Sequence, residues 1–173
     1  LASELGVDPL EYTLDLLIED RGASTMVVFH MDEVDMRAVL SWRWSGVGSD
    51  SLGVTGPAAR VHPRAYGTFA RILGKYSRDE KVIPLAEAVR RLTSLPAANL
   101  RISRRGMLAK GFFADVVVFD PATIADHATF DKPHRYATGV KHVFVNGVQV
   151  LADGEHTGAK PGRVVVGPGY KAQ

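Results

Sequence analysis

The sequence predicts an α/β fold over residues 1–105 and a mostly β region over residues 106–173. Three observations carry that division. Helix and strand signals alternate through the first fifty or so residues, the order expected of helices packed on a sheet. The strand candidate Thr25–Phe29, "TMVVF", is almost wholly apolar rather than alternating, which suits a strand buried on both faces of a parallel sheet. Beyond Gly106 strand signals dominate, and Asn146-Gly147, the strongest two-residue hairpin signal, stands between two of them.

Asp8 is placed to cap a first helix, with Pro9 at its first position and Glu11 completing a capping-box-like pattern. Leu10, Leu14, Leu17 and Ile18 share one face of it, and Arg21-Gly22 ends it. Asp32 caps a second helix running to about Leu40, with Glu33 and Asp35 in the first turn, where the macrodipole favours acids. Gly46–Ser49 reads as a second short strand. Two such strands make no stable sheet alone, so their partners must come from elsewhere. Gly53–Pro63 is a loop punctuated by Gly56-Pro57. Phe69–Tyr76 reads as a helix. Pro84 opens a stronger one to about Leu95, with Leu85, Ala88, Val89 and Leu92 as its buried stripe and Pro96 ending or interrupting it. Strands follow at Asp115–Asp120, Val140–Val145 and Val148–Leu151, with Val164–Val166 as a further candidate.

Hydrophobic residues make up 46% of the chain and charged residues 23%, a core-forming balance that excludes disorder. The net charge of +2, from 21 Lys and Arg against 19 Asp and Glu, gives no case for a nucleic-acid partner. The absence of cysteine excludes disulfides and thiolate metal sites, and fits a reducing, cytoplasmic setting. No apolar run reaches the ~20 residues of a membrane helix, and no signal-peptide pattern is visible. The chain starts at Leu1 and enters a helical pattern almost at once, which hints at a missing front.

The stretch Val47–Gly53, "VGSDSLG", sets an acid between two serines at the end of an apolar segment. A serine nucleophile at Ser51 would need Gly-x-Ser-x-Gly, and Ser49 occupies the first glycine position. The histidines, His30, His62, His127, His134, His142 and His156, show neither His-x-His nor His-Glu-x-x-His spacing, so this chain alone is not expected to build a catalytic zinc site. Two readings of Asp50 remain open: a catalytic carboxylate at the end of a barrel strand, or a turn cap with Ser49 and Ser51 as turn formers.

The segments "FHMDEVDMRAVL", "GSDS", "HPRAYGTFARILGKY", "EAVRRLTSLPAANL", "RGMLAKGFFADVVVFDP", "VFVNG" and "DGEHTGAKPGRV" follow one another as in the N-acyl-D-amino-acid deacylases, the D-aminoacylases of the amidohydrolase superfamily. The chain resembles that family over nearly its whole length. The resemblance implies a metal-dependent (β/α)8 barrel carrying a small β-sandwich built from both chain ends. Residues 1–105 would be the C-terminal part of the barrel and 106–173 the C-terminal share of the sandwich. It implies zinc, held by ligands upstream of Leu1, and a small N-acyl amino acid as substrate. It gives Asp50 the role of general base and then acid, with a possible metal contact. Arg64 would pair with the substrate carboxylate, as suits a planar bidentate donor. Ser49, Ser51 and His62 become substrate-side neighbours, and Ser51 departs from the glycine of many relatives. The expected partners are the substrate, a missing N-terminal part of the same protein and a possible second copy, and the isolated chain is expected to be inactive. Two alternatives stand beside this reading: a cyclic-amide hydrolase of the dihydroorotase or hydantoinase type, and a non-enzymatic β-rich interaction domain. Side-chain preference, acyl preference and the number of metals stay open.

Overall fold

Asp8 begins the first well-formed helix, its Oδ1 accepting from the backbone N–H groups of Leu10 at 2.9 Å and Glu11 at 3.0 Å. The computed structural model describes residues 1–24, 26, 28–51, 56 and 61–171. They fall into two compact units, Leu1–Met31 and Asp32–Gln173.

The first unit holds α1 (Ala2–Leu5) and α2 (Pro9–Glu19). Arg21 (φ 57°) and Gly22 (φ 73°) turn left-handed and stop α2 where expected. Its apolar residues Leu10, Leu14, Leu17 and Ile18 are all exposed. In the expected strand at 25–29, Thr25 and Val27 lie outside the described residues, while Met26, Val28 and Phe29 are exposed and belong to no strand. Apolar sequence alone does not make a strand, because a strand forms only against a neighbour that takes its hydrogen bonds. Gly46–Ser49 departs from expectation for the same reason and is irregular. Of the expected loop 53–63, only Gly56 and residues 61–63 lie among the described residues.

The second unit contains α3 (Glu33–Ser41), α4 (Arg64–Arg71), α5 (Leu85–Leu92), α6 (Ser94–Asn99) and four strands. Asp32 caps α3 as read from the sequence, its Oδ1 accepting from Val34 N–H at 2.6 Å. The helix begun at Arg64 runs on without a break into wider, π-helical turns over Ile72–Asp79. It thus starts five residues before the expected Phe69, because Pro63 is already helical at φ −49° and His62 accepts the Arg64 N–H. The core joins Leu40 of α3 to Ile72 and Tyr76 of the long helix and to Ile83 and Ala88 at α5. Val47 packs against it and anchors the segment leading to Asp50. Burial of Leu40, Ile72 and Ile83 contributes about 1.5–3 kcal/mol each.

Two glycines seat the long helix on the 120–128 segment. A Cβ at Gly74 would stand 2.5 Å from the Ile124 carbonyl oxygen, and one at Gly67 would strike the Asp126 carboxylate. Arg78 then donates from Nη1 to the carbonyls of Ala122 at 3.2 Å and Ile124 at 2.7 Å. These contacts set the height of the helix and so the place of Arg64 at its start.

Helix α5 differs from its sequence reading in two ways. It stops at Leu92, with Thr93 breaking the chain (φ −132°, ψ −86°), so Pro96 falls in the first turn of α6, where a missing N–H costs nothing. The buried stripe is also only partly as read: Ala88 is fully buried and Leu92 packs against the core. Leu85 and Val89 are 39% and 37% exposed, while Arg91 is 1% exposed. Arg91 donates from Nε to Glu87 Oε1 at 2.8 Å and from Nη1 to the Leu40 carbonyl at the end of α3. A guanidinium satisfies an orphan carbonyl at a helix terminus whose dipole favours a cation.

The strands β1 (Val116–Phe119), β2 (Val140–Val145), β3 (Val148–Ala152) and β4 (Glu155–His156) form one antiparallel sheet in sequence order. Asn146 (φ 50°) and Gly147 (φ 84°) make the expected hairpin turn. Asp153 (φ 49°) and Gly154 (φ 87°) make a second turn of the same kind, which folds the chain straight back into β4. Val164–Val166, read as a strand candidate, is exposed and irregular, and β4 occupies the fourth place in the sheet.

Candidate active site

Asp50 sits on left-handed backbone (φ 47°), a conformation Asp tolerates better than most residues. Its carboxylate is 89% exposed, and Ser49 and Ser51 flank it, both half-buried. Arg64, the first residue of α4, places Nη2 3.1 Å from Asp50 Oδ2. The structure therefore brings the two principal predicted residues together although residues 51–63 separate them in the chain.

His62 joins Arg64 through the backbone. The N–H of Arg64 donates to His62 Nδ1 at 3.1 Å, so the neutral ring carries its proton on Nε2. The imidazole meets Phe130 edge-on, with centroids 4.9 Å apart. Burial, and after it the Arg64 charge, hold His62 below its ordinary value of 6.5. Within the first turn of α4, the Tyr66 hydroxyl lies 3.0 Å from His134 Nδ1, and its ring meets Tyr136 edge-on at 5.4 Å. Asp126 lies 3.6 Å from Arg71 Nη1 and accepts from the Ala128 N–H at 2.9 Å.

Sequence reading missed Tyr66, Asp126, Phe130, His134 and Tyr136 as neighbours of this region. Their signal is the run "HATFDKPHRY" at 127–136, dense in aromatic and imidazole groups for a loop. Three other histidines serve local structure: His127 Nε2 pairs with Thr138 Oγ1 at 2.9 Å, His142 Nδ1 with Gln149 Nε2 at 3.2 Å, and His156 Nδ1 accepts from Gly158 N–H at 2.9 Å; His30 is exposed.

Chemically, the site offers an exposed carboxylate able to carry a proton and a guanidinium able to hold an anion. Asp50 suits one oxygen contact to a hard or borderline cation such as zinc. Among the described residues no three His, Cys, Asp or Glu side chains converge, so these residues do not furnish a full metal shell.

Comparison with known proteins places the chain in a family. Residues 9–151 match the Amidohydrolase family. A D-aminoacylase of Alcaligenes xylosoxydans xylosoxydans is 45% identical over 139 residues, which cover 80% of this chain and 28% of that protein. A crystal structure of D-aminoacylase aligns with a TM-score of 0.73 and 46% identity, over 78% of this chain and 28% of the other. The N-acyl-D-glutamate deacylase of Bordetella bronchiseptica, solved with zinc and a phosphonate mimic of the tetrahedral intermediate, aligns with a TM-score of 0.65 and 44% identity, over 73% of this chain and 27% of the other. The chain thus spans less than a third of the length of these relatives. It belongs to the amidohydrolase family, on its D-aminoacylase branch.

Proposed function

We propose that this chain supplies the proton carrier and the carboxylate-binding arginine of a zinc-dependent N-acyl-D-amino-acid deacylase. The observation that carries the reading is the approach of Arg64 to Asp50 at 3.1 Å, in a chain 45% identical to a D-aminoacylase. The zinc-bound deacylase among the relatives supports the choice of metal. In this reading residues 1–105 form the last part of a (β/α)8 barrel and 106–173 a share of a β-sandwich. The remaining metal ligands come from segments outside these 173 residues. The cysteine-free composition fits a cytoplasmic enzyme.

When bound, zinc polarises the amide carbonyl and activates water. The chain's own residues do the rest. Arg64 holds the carboxylate of the amino-acid half and so fixes the amide relative to Asp50. Asp50 takes a proton from the attacking water and returns it to the amine nitrogen as the C–N bond breaks. The products are a carboxylate and a free D-amino acid. His62 holds the Arg64 backbone, and Ser49 and Ser51 leave room beside Asp50.

The test is a substrate panel on the zinc-loaded full-length enzyme. N-acetyl derivatives of several D-amino acids should be hydrolysed, with their L-enantiomers and dihydroorotate- or hydantoin-type cyclic amides turned over far more slowly. A cyclic amide as the best substrate would replace this reading with the cyclic-amide one.

A further inference from the structure

We propose that Tyr66 is a positioning residue for Arg64, held through its hydroxyl by His134, so that the 126–137 loop of the β region braces the helix turn that presents the guanidinium. The role rests on the reading of Arg64 as the holder of the substrate carboxylate.

The loop is closed and internally bonded. Ala125 and Thr138 shut its neck by exchanging two backbone hydrogen bonds, at 3.2 and 3.0 Å. Beside the neck, His127 Nε2 lies 2.9 Å from Thr138 Oγ1. At the far end, the Thr129 N–H donates to the Lys132 carbonyl at 3.2 Å, and the Lys132 N–H donates to Thr129 Oγ1 at 3.1 Å. A loop whose ends meet and whose own side chains pack it behaves as a fixed part of the fold.

It meets the long helix at three levels. Phe130 stands edge-on to His62, which accepts the Arg64 N–H. His134 and Tyr136 both reach Tyr66, the first by the 3.0 Å hydrogen bond and the second by ring contact at 5.4 Å. Asp126, its side chain 9% exposed, fills the space that a Cβ at Gly67 would need and lies 3.6 Å from Arg71 Nη1. The Tyr66–His134 bond is directional, so it sets the rotation of the first turn as well as its distance from the loop.

Successive helix residues turn by about 100°, which puts Tyr66 and Arg64 on opposite sides of that turn. Arg64 is exposed and Tyr66 is half-buried against the loop. Tyr66 therefore acts on the guanidinium through the backbone rather than by touching the substrate. The lever is large, because misplacing a substrate-holding group by about 1 Å can cost about 10²-fold in rate.

The experiment uses the zinc-loaded full-length enzyme and two substrates, an N-acyl-D-amino acid and its carboxamide. Tyr66→Phe keeps the ring and removes the bond to His134. It should lower kcat/KM about three- to tenfold on the carboxylate substrate, the span of one net hydrogen bond, and less than about twofold on the carboxamide. His134→Leu should match it, whereas His134→Gln, which keeps an acceptor for the hydroxyl, should stay near the wild type. Added to Arg64→Gln, Tyr66→Phe should cost nothing further. A merely structural role gives equal losses on both substrates with a lower melting temperature, and that outcome overturns the brace. An unchanged kcat/KM in Tyr66→Phe, a loss that persists in Arg64→Gln, or a His134→Gln as impaired as His134→Leu overturns it too. If Arg64→Gln is selective for the carboxylate substrate and Tyr66→Phe is not, the brace fails and the assignment of Arg64 survives. If Arg64→Gln lowers both substrates equally, that assignment and the brace both fall.

Discussion

The backbone N–H of Arg64 donates to His62 Nδ1 at 3.1 Å, which makes a neutral imidazole the anchor of the helix that begins at Arg64. Burial, then the Arg64 charge, lower the His62 value from 6.5. Folding therefore favours the neutral ring. The stability it contributes is fully present above 6.5 and is lost as pH falls through the lowered folded value. The melting temperature of the wild type should decline across that window. His62→Asn keeps a side-chain acceptor without titrating there and should flatten this part of the profile. Identical profiles for the two proteins would remove His62 from the anchor.

Asp50 is tested as a proton carrier by Asp50→Asn, which keeps the shape and cannot accept the proton. General acid–base help is worth about 10²–10⁴-fold, so kcat of the complete, zinc-loaded enzyme should fall by at least that much. The fold should persist, because the side chain is 89% exposed. A turn cap predicts the reverse: modest destabilisation of about 0.5–2 kcal/mol with activity kept. Near-normal kcat in a zinc-loaded sample would end the catalytic assignment.

Arg64→Ala should cost about 2–5 kcal/mol in kcat/KM on an N-acyl-D-amino acid, the range for losing one partner of a desolvated charge pair. Arg64→Lys should recover part of that loss, since charge is kept and the planar fork is not. On the matching carboxamide the loss should shrink or reverse. Equal losses on both substrates would take Arg64 out of the carboxylate role.

The parts of this fold legible in the sequence are the local ones. Asp8 and Asp32 cap their helices, and Asn146-Gly147 turns its hairpin, because each depends on residues within a few positions. The strands expected at 25–29 and 46–49 did not form, because pairing depends on neighbours that apolarity does not specify. The stripe of α5 was legible in part: Ala88 and Leu92 pack inward as read, whereas Arg91 answers a distant carbonyl, that of Leu40, rather than the helical period. The site divides in the same way. Asp50, His62 and Arg64 stand in quotable motifs, whereas His134 reaches Tyr66 across 68 positions of sequence, a pairing that its own aromatic-rich run does not specify.

Metal content tests where the zinc ligands reside. The chain has no cysteine, and no three ligand-type side chains converge among the described residues. Residues 1–173 expressed alone should therefore hold no stoichiometric zinc and show no deacylase activity. Elemental analysis finding one tightly held zinc per chain would show that these residues build the shell themselves.

Arg91 is the strongest test of what holds the helices beneath the site. It is buried, bonded to Glu87 and to the Leu40 carbonyl, and so ties α5 to the end of α3 next to the segment that carries Val47 and Asp50. Arg91→Met keeps much of the apolar stem and removes the charge-assisted bonds, which should cost about 1.5–3 kcal/mol. Arg91→Ala also leaves a cavity and should cost more, about 3–5 kcal/mol. Hydrogen bonds from Arg90 first, and then Arg91, hold Glu87 at about 2 against an ordinary 4.5. A depressed carboxyl contributes stability that is present above 4.5 and lost as pH falls through about 2. Urea midpoints measured across that interval should fall more steeply for the wild type than for Glu87→Gln, whose side chain does not titrate. In Arg91→Met only Arg90 remains on Glu87, so the acid decline should be smaller and end at higher pH. Parallel acid limbs in all three proteins would show that Glu87 gains nothing from its arginines, and would leave Arg91 only its bond to Leu40.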